Sequence, residues 1–135
     1  MELTVDGLKQ ILDSAKTIAV VGLSKKPDRP SYDVASYLQR VGYRIIPVNP
    51  TITEVLGERA YKSLREISDR VDVVQIFRRP QYVPSIVEDA IAVGAKVVWM
   101  QPGTENEEAA AQAEAAGLQA VVGACMMTVH RIVVW

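Results

Sequence analysis

Continuous apolar runs and helix-spaced apolar positions take turns along this chain. The first run, Ile18-Ala19-Val20-Val21, stops at Gly22. Others fill residues 45–48, 97–99 and 120–122, several of whose members are β-branched, and residues 71–77, largely apolar around Asp72 and Gln75, give a further strand. Runs without polar alternation read as parallel strands covered on both faces. Between the runs, Val34, Ala35, Leu38 and Val41 recur at helical spacing ahead of Gly42. Val83, Ile86, Val87, Ala90 and Ile91 do the same ahead of Gly94. Ahead of Gly117, the carboxylates Glu105, Glu107 and Glu108 load a helix start with the charge its dipole favours. Residues 6–14 predict a leading helix with Leu8, Ile11 and Leu12 on one face. Gly42, Gly94 and Gly117 each stand where a helical pattern hands over to an apolar run, which suits the left-handed residue that closes a helix.

Helix and strand therefore alternate from the leading helix through five strands, and such alternation predicts a parallel sheet with helices on both faces. Right-handed crossovers with one reversal of direction give an α/β fold of Rossmann-like, doubly wound type. The expected strand order is 3-2-1-4-5 within a single domain over residues 1–135, with ligands at the carboxyl ends near the reversal. Residues 128–134 alternate weakly, which suits a short C-terminal edge element.

Composition narrows the function. Of 135 residues, 49% are hydrophobic and 23% charged, the profile of a globular chain. A net charge of −1 offers no general attraction to nucleic acid or membrane. One cysteine permits no internal disulfide and fits a reducing compartment. The N-terminal residues lack a signal-peptide pattern, so the expected location is cytoplasmic. A protein partner or a homo-oligomer is left open.

The chemistry gathers in the loops that follow the strands. After the first strand come Gly22, Leu23, Ser24, Lys25, Lys26 and Arg29, and then a helix opened by Ser31 and Tyr32, with Ser31 as its N-cap. After the second come Asn49 and Pro50. After the third come Phe77, Arg78 and Arg79, and after the fourth comes Gln101. Five of the 15 cations, Lys25, Lys26, Arg29, Arg78 and Arg79, thus collect on one sheet edge. A polyphosphate ligand accounts for that collection, since glycine admits close approach and a helix N-terminus favours an anion. The loop is not the usual dinucleotide fingerprint, because positions 24 and 27 hold Ser24 and Pro27 where G-x-G-x-x-G has glycine. NAD sites place a carboxylate after the second strand to hold the ribose hydroxyls. Asn49 is neutral there and tolerates a phosphorylated ribose, which favours coenzyme A or NADP over NAD.

Several segments resemble a known family. Val20-Val21-Gly22-Leu23-Ser24, Pro47-Val48-Asn49-Pro50, Leu56-Gly57-Glu58, Phe77-Arg78-Arg79-Pro80 and Trp99-Met100-Gln101-Pro102-Gly103 are similar to the small stand-alone CoA-binding proteins. The same fold serves as the CoA-binding domain of the succinyl-CoA synthetase alpha subunit. The resemblance implies coenzyme A or an acyl-CoA as ligand. Gly22 to Lys26 and Arg29 would meet the phosphates, Asn49 and Pro50 the ribose or adenine, and Phe77, Arg78 and Arg79 the pantetheine or phosphates. The family often has Asp-Arg before its cysteine, whereas this chain has Gly123-Ala124-Cys125. No catalytic set, metal-ligand cluster or P-loop stands out, and the phosphohistidine domain of the synthetases is not expected in this chain. The competing expectation is an NADP-dependent oxidoreductase or redox-sensing domain. Cys125 is expected to be a buried small hydrophobe, His130 a structural or surface residue, and Trp99 and Trp135 packing residues.

Overall fold

The computed structural model describes residues 3–134. Helix α1 (Val5–Ser14) is capped by Thr4, whose Oγ1 accepts from Gly7 N–H at 3.0 Å. Strand β1 (Thr17–Val21), helix α2 (Pro30–Arg40) and strand β2 (Arg44–Val48) follow. A two-stranded ribbon, β3 (Glu54–Val55) with β4 (Glu58–Arg59), and a 3₁₀ turn at Leu64–Glu66 lead to β5 (Val73–Ile76). Then come α3 (Val83–Ala92), β6 (Val97–Met100), α4 (Glu107–Ala115), β7 (Gln119–Val122) and α5 (Met126–Val133). No helix among the described residues is long and apolar enough to cross a membrane.

Five parallel strands form the sheet, in the order β2-β1-β5-β6-β7. Side chains alternate between its faces, as the strand period requires. Ala19, Val21, Ile46, Val74 and Met100 pack with α3 and α4, while Ile18, Val20, Val73, Trp99 and Val121 pack with α1, α2 and α5. The three glycines expected to close helices do so. Gly42, Gly94 and Gly117 have φ of 110°, 77° and 91°. The residue after each donates back across the helix end, from Tyr43 to Leu38, Ala95 to Ala90 and Leu118 to Ala113, at 3.0–3.1 Å.

Four expectations are corrected. Counted along the chain, the sheet strands lie in the order 2-1-3-4-5, not 3-2-1-4-5. The connection from β2 to β5 explains the difference. Its Leu64, Ile67 and Val71 are buried on the α3–α4 face, opposite α2. A right-handed crossover on the opposite face carries the chain back past β1 instead of outward beyond β2. That connection also contains no α-helix, so the strict alternation lapses there. Tyr61 instead bridges to Val48 and covers the β2 edge. The C-terminal element is helix α5, not an edge strand: Met126, Val129, His130 and Val133 repeat at helical spacing and face α1 and α2. Finally, the cap of α2 lies two residues earlier, with Arg29 at the cap and Pro30 in the first turn, so Ser31 is not its N-cap.

Two buried polar groups tie this frame together. Asp72 Oδ2 accepts from Lys16 N–H at 2.9 Å and Thr17 N–H at 3.0 Å, joining β1 to the segment that enters β5. Burial pushes the Asp72 carboxyl up, but these bonds, with Arg70 and Lys96, outweigh it and hold the group below its usual range. His130 is buried, its Nδ1 hydrogen-bonded to the Tyr37 hydroxyl at 2.7 Å and its ring edge-on to Tyr37 and Tyr43. Its role is to dock α5 on α2. Trp99 is wholly buried; Trp135 lies outside the described residues.

Candidate functional site

The reversal of strand order falls between β1 and β5, so the loops leaving these strands diverge and open a crevice. Gly22 holds them together. It has φ of +89°, and a Cβ there would lie 2.5 Å from the Phe77 carbonyl oxygen and 3.1 Å from Arg78 Cδ. Only glycine fits such a backbone approach. Gly22 N–H donates to Val48 O and Phe77 N–H to Val21 O, each at 2.9 Å, which locks three strand ends in one plane.

The loop from Gly22 to α2 is braced from inside. Leu23 is fully buried beneath it. Asn49 Nδ2 donates to Leu23 O at 3.0 Å, while Asn49 Oδ1 accepts from the N–H and hydroxyl of Thr51. Ser31, buried in the first turn of α2, accepts from Ser24 N–H at 2.9 Å, and Ser24 Oγ accepts from Lys26 N–H at 3.1 Å. The loop is thereby drawn onto the helix N-terminus.

Together these elements enclose an open cleft of about 780 Å³. Of the residues singled out from the sequence, it brings Gly22, Ser24, Lys26, Arg29, Ser31, Phe77, Arg78, Arg79 and Gln101 to one wall or another. It does not bring the rest. Lys25 is exposed outside the cleft, Leu23 points into the core, and Tyr32 packs among the partly buried residues of the α2 face. Asn49 serves as a strut within the loops, and Pro50 lines a separate hollow of about 210 Å³ behind Gly22.

Lys26, Arg29, Arg78 and Arg79 enter none of the ion pairs among the described residues, which join Lys9 to Asp13, Arg44 to Asp69, Arg65 to Asp89 and Arg70 to Asp72. The Arg78 guanidinium rests over the Tyr82 ring at 4.5 Å, which fixes its direction without neutralising it. Four uncompensated cations around a helix N-terminus make the cleft electropositive in a chain of net charge −1.

Gln101 apart, the far wall was not singled out: Pro102, Gly103, Thr104 and Cys125 line it, and Pro30 and Val34 of α2 complete the lining. Gln101 organises that wall: its Oε1 accepts from Met126 N–H at 2.8 Å and Gln75 Nε2 at 3.1 Å, and its carbonyl accepts from the Thr104 hydroxyl at 2.7 Å. Cys125 is half-buried at the N-cap of α5 and faces the cleft, so it is not the closed core residue that was expected. Burial pushes its thiol up, but the backbone N–H of Thr128, the Gln101 amide, the Thr128 hydroxyl and Met127 N–H outweigh that and hold it below its usual value. The carbonyl of its neighbour Ala124 is held by Trp99, whose indole N–H donates to Ala124 O at 2.7 Å. The signal for this wall was the start of a helix after Cys125, hidden by reading residues 128–134 as weakly alternating.

A doubly wound parallel sheet, with cations and a helix N-terminus around a crevice at its reversal, is the architecture of nucleotide-binding α/β proteins. Comparison with known proteins defines it further. A family profile described as a CoA binding domain matches residues 16–131, and the chain belongs to that family. The uncharacterized protein YneT of Bacillus subtilis is 43% identical over 125 residues, which cover 93% of each chain. A solved structure of a hypothetical protein from Pyrococcus horikoshii shares 44% identity and superposes with a TM-score of 0.96, over 98% of this chain and 94% of that one. The alpha subunit of the ADP-forming acetate–CoA ligase I of Pyrococcus furiosus is 36% identical over 95 residues. That match takes in 66% of this chain and 21% of the subunit, so the likeness is to the CoA-binding part of a larger protein.

Proposed function

We propose that the cleft binds coenzyme A, free or acylated, and that the protein holds this ligand without a ligase activity of its own. The observation that carries the reading is the set of four unpaired cations, Lys26, Arg29, Arg78 and Arg79, disposed with Gly22 and the start of α2 around one cleft of about 780 Å³. That volume is within the range that accommodates ligands of cofactor size. Membership of the CoA binding domain family supports the choice of coenzyme A among polyphosphate ligands.

In this reading, Lys26, Arg29 and Arg79 meet the phosphates by charge-assisted hydrogen bonds. Ser24 and Gly22 allow the backbone to approach them. Phe77 and Val34 supply apolar wall for the pantetheine arm, which runs toward Gln101. Leu23 and Asn49 act behind the loop by holding its shape. Isothermal titration with CoA, dephospho-CoA, acetyl-CoA and NADPH tests the assignment. The expected dissociation constant for CoA is micromolar, about −7 to −9 kcal/mol, with NADPH weaker by at least about tenfold. NADPH binding more tightly than CoA overturns it in favour of a dinucleotide-dependent redox protein.

A further inference from the structure

Cys125 and the four cations line the same cleft, the cations on the wall built from β1, α2 and β5 and the sulfur on the wall built by α5. A ligand whose phosphates meet the cations can lay its arm across to that sulfur. We propose that Cys125 captures disulfides of coenzyme A by thiol–disulfide exchange, forming a protein–S–S–CoA bond inside the cleft. The inference rests on the CoA-binding reading above.

Three observations support it. The thiol is accessible: Cys125 is half-buried and lines the cleft. Cys125 stands at the N-cap of α5 beside Gln101, and these surroundings hold its thiol below the usual value, which favours the thiolate, the form that attacks a disulfide. The third observation concerns the residue behind Gln101. Gln75 is wholly buried and donates from Nε2 to Gln101 Oε1 at 3.1 Å, yet its own Oε1 has no hydrogen-bond partner. A buried acceptor left unmet is costly to the fold. The Gln75–Gln101 carboxamide pair, which also holds Met126 N–H next to Cys125, therefore keeps one unmet acceptor directly behind a residue that lines the cleft. The pantetheine arm ends in an amide N–H two carbons from its own sulfur. An N–H of this kind is the donor that the unmet Gln75 oxygen lacks.

The exchange balances without an external oxidant. The Cys125 thiolate attacks one sulfur of CoA–S–S–CoA, a new bond joins that sulfur to Sγ, and the old S–S bond breaks. Its electron pair leaves with the second CoA as a thiolate, which takes a proton from water outside the open cleft. The protein sulfur is oxidised and one CoA is reduced.

The test uses the full chain, freshly reduced and freed of reductant, with CoA disulfide or with pantethine, the same disulfide lacking the nucleotide. Intact mass spectrometry under non-reducing conditions follows the adduct. CoA disulfide should label one site, reversibly by dithiothreitol, at least about tenfold faster than pantethine at equal concentration, the advantage that one phosphate contact supplies. Cys125→Ser should give no adduct, and saturating free CoA should suppress labelling of the natural protein. Equal rates for the two disulfides, or no suppression by CoA, overturns the inference. Calorimetry of Cys125→Ser with free CoA separates the two readings. Normal CoA binding alongside an unlabelled natural protein overturns capture alone, whereas no CoA binding in either form overturns the site assignment too.

Discussion

The two ends of the sheet use the same residue types in opposite ways. At the amino end, charge is matched: Arg44 pairs with Asp69 at 2.5 Å, and Asp72 takes two backbone N–H bonds and Arg70. At the carboxyl end, Lys26, Arg29, Arg78 and Arg79 surround a cleft with no carboxylate among their ion-pair partners. Matched charge at one end fastens strands. Unmatched charge at the other leaves a field for a ligand, and the cations stay in water, so the cost to stability is small. The comparison teaches that charge on this fold is read by its partners, since net charge alone shows neither end.

The sharpest way to break the carboxyl end is through its backbone. Gly22→Ala places a Cβ against the Phe77 carbonyl at a positive φ. It should destabilise the protein by about 2–4 kcal/mol, read by urea denaturation, and abolish CoA binding in calorimetry. Retained stability and binding would mean that the two loops can separate freely.

The amino end should fail next, and differently. Asp72→Ala removes the acceptor for Lys16 and Thr17 N–H and should cost about 2–3 kcal/mol, with the cleft's CoA affinity unchanged in whatever fraction remains folded. The pH dependence has a definite sign. Because the folded carboxyl lies below its ordinary value of 3.8, its stabilising effect is full above that value and is lost as pH falls through the depressed folded one. Denaturation midpoints of the variant should therefore fall less steeply below about pH 4 than those of the natural protein.

Arg79→Glu sharpens the contrast, because it should touch binding alone. Affinity for CoA should drop by about 1.5–3 kcal/mol, while the melting midpoint stays within the range of an ordinary surface change, about 0.5 kcal/mol. Equal losses in stability would mean that the arginine is structural. Lys25→Glu should have the smallest effect. Lys25 lies outside the cleft, and a screened charge at that distance should alter affinity less than about threefold at physiological salt.

Strand and helix positions were legible because each rests on local periodicity, and Gly42, Gly94 and Gly117 marked the joints. Strand order was not, because it depends on which face the 49–70 connection covers. Leu64, Ile67 and Val71 decide that, and they lie in a segment with no helical repeat. The cationic wall of the site was legible as a cluster in the loops after the first and third strands, even with the order misassigned, since any parallel sheet gathers those loops at one edge. Asn49 was identified as a ligand neighbour from its position after the second strand. Its hydrogen bonds to Leu23 and Thr51 show that it also braces the loop, a role its position after the strand did not reveal. The Cys125 wall was hidden because its chemistry arises from α5, an element whose apolar residues also satisfy a weak strand pattern.

Trp99 gives the molecule an optical handle. Its indole is sealed from water, and its N–H is fastened to the carbonyl that immediately precedes the thiol of the cleft. Its emission should be blue-shifted, and its intensity should respond to whatever sits against Cys125, since sulfur in the neighbourhood of an excited indole quenches it. In a Trp135→Phe background, a plain fluorimeter would therefore watch the far wall of the cleft fill and empty in real time, without a label.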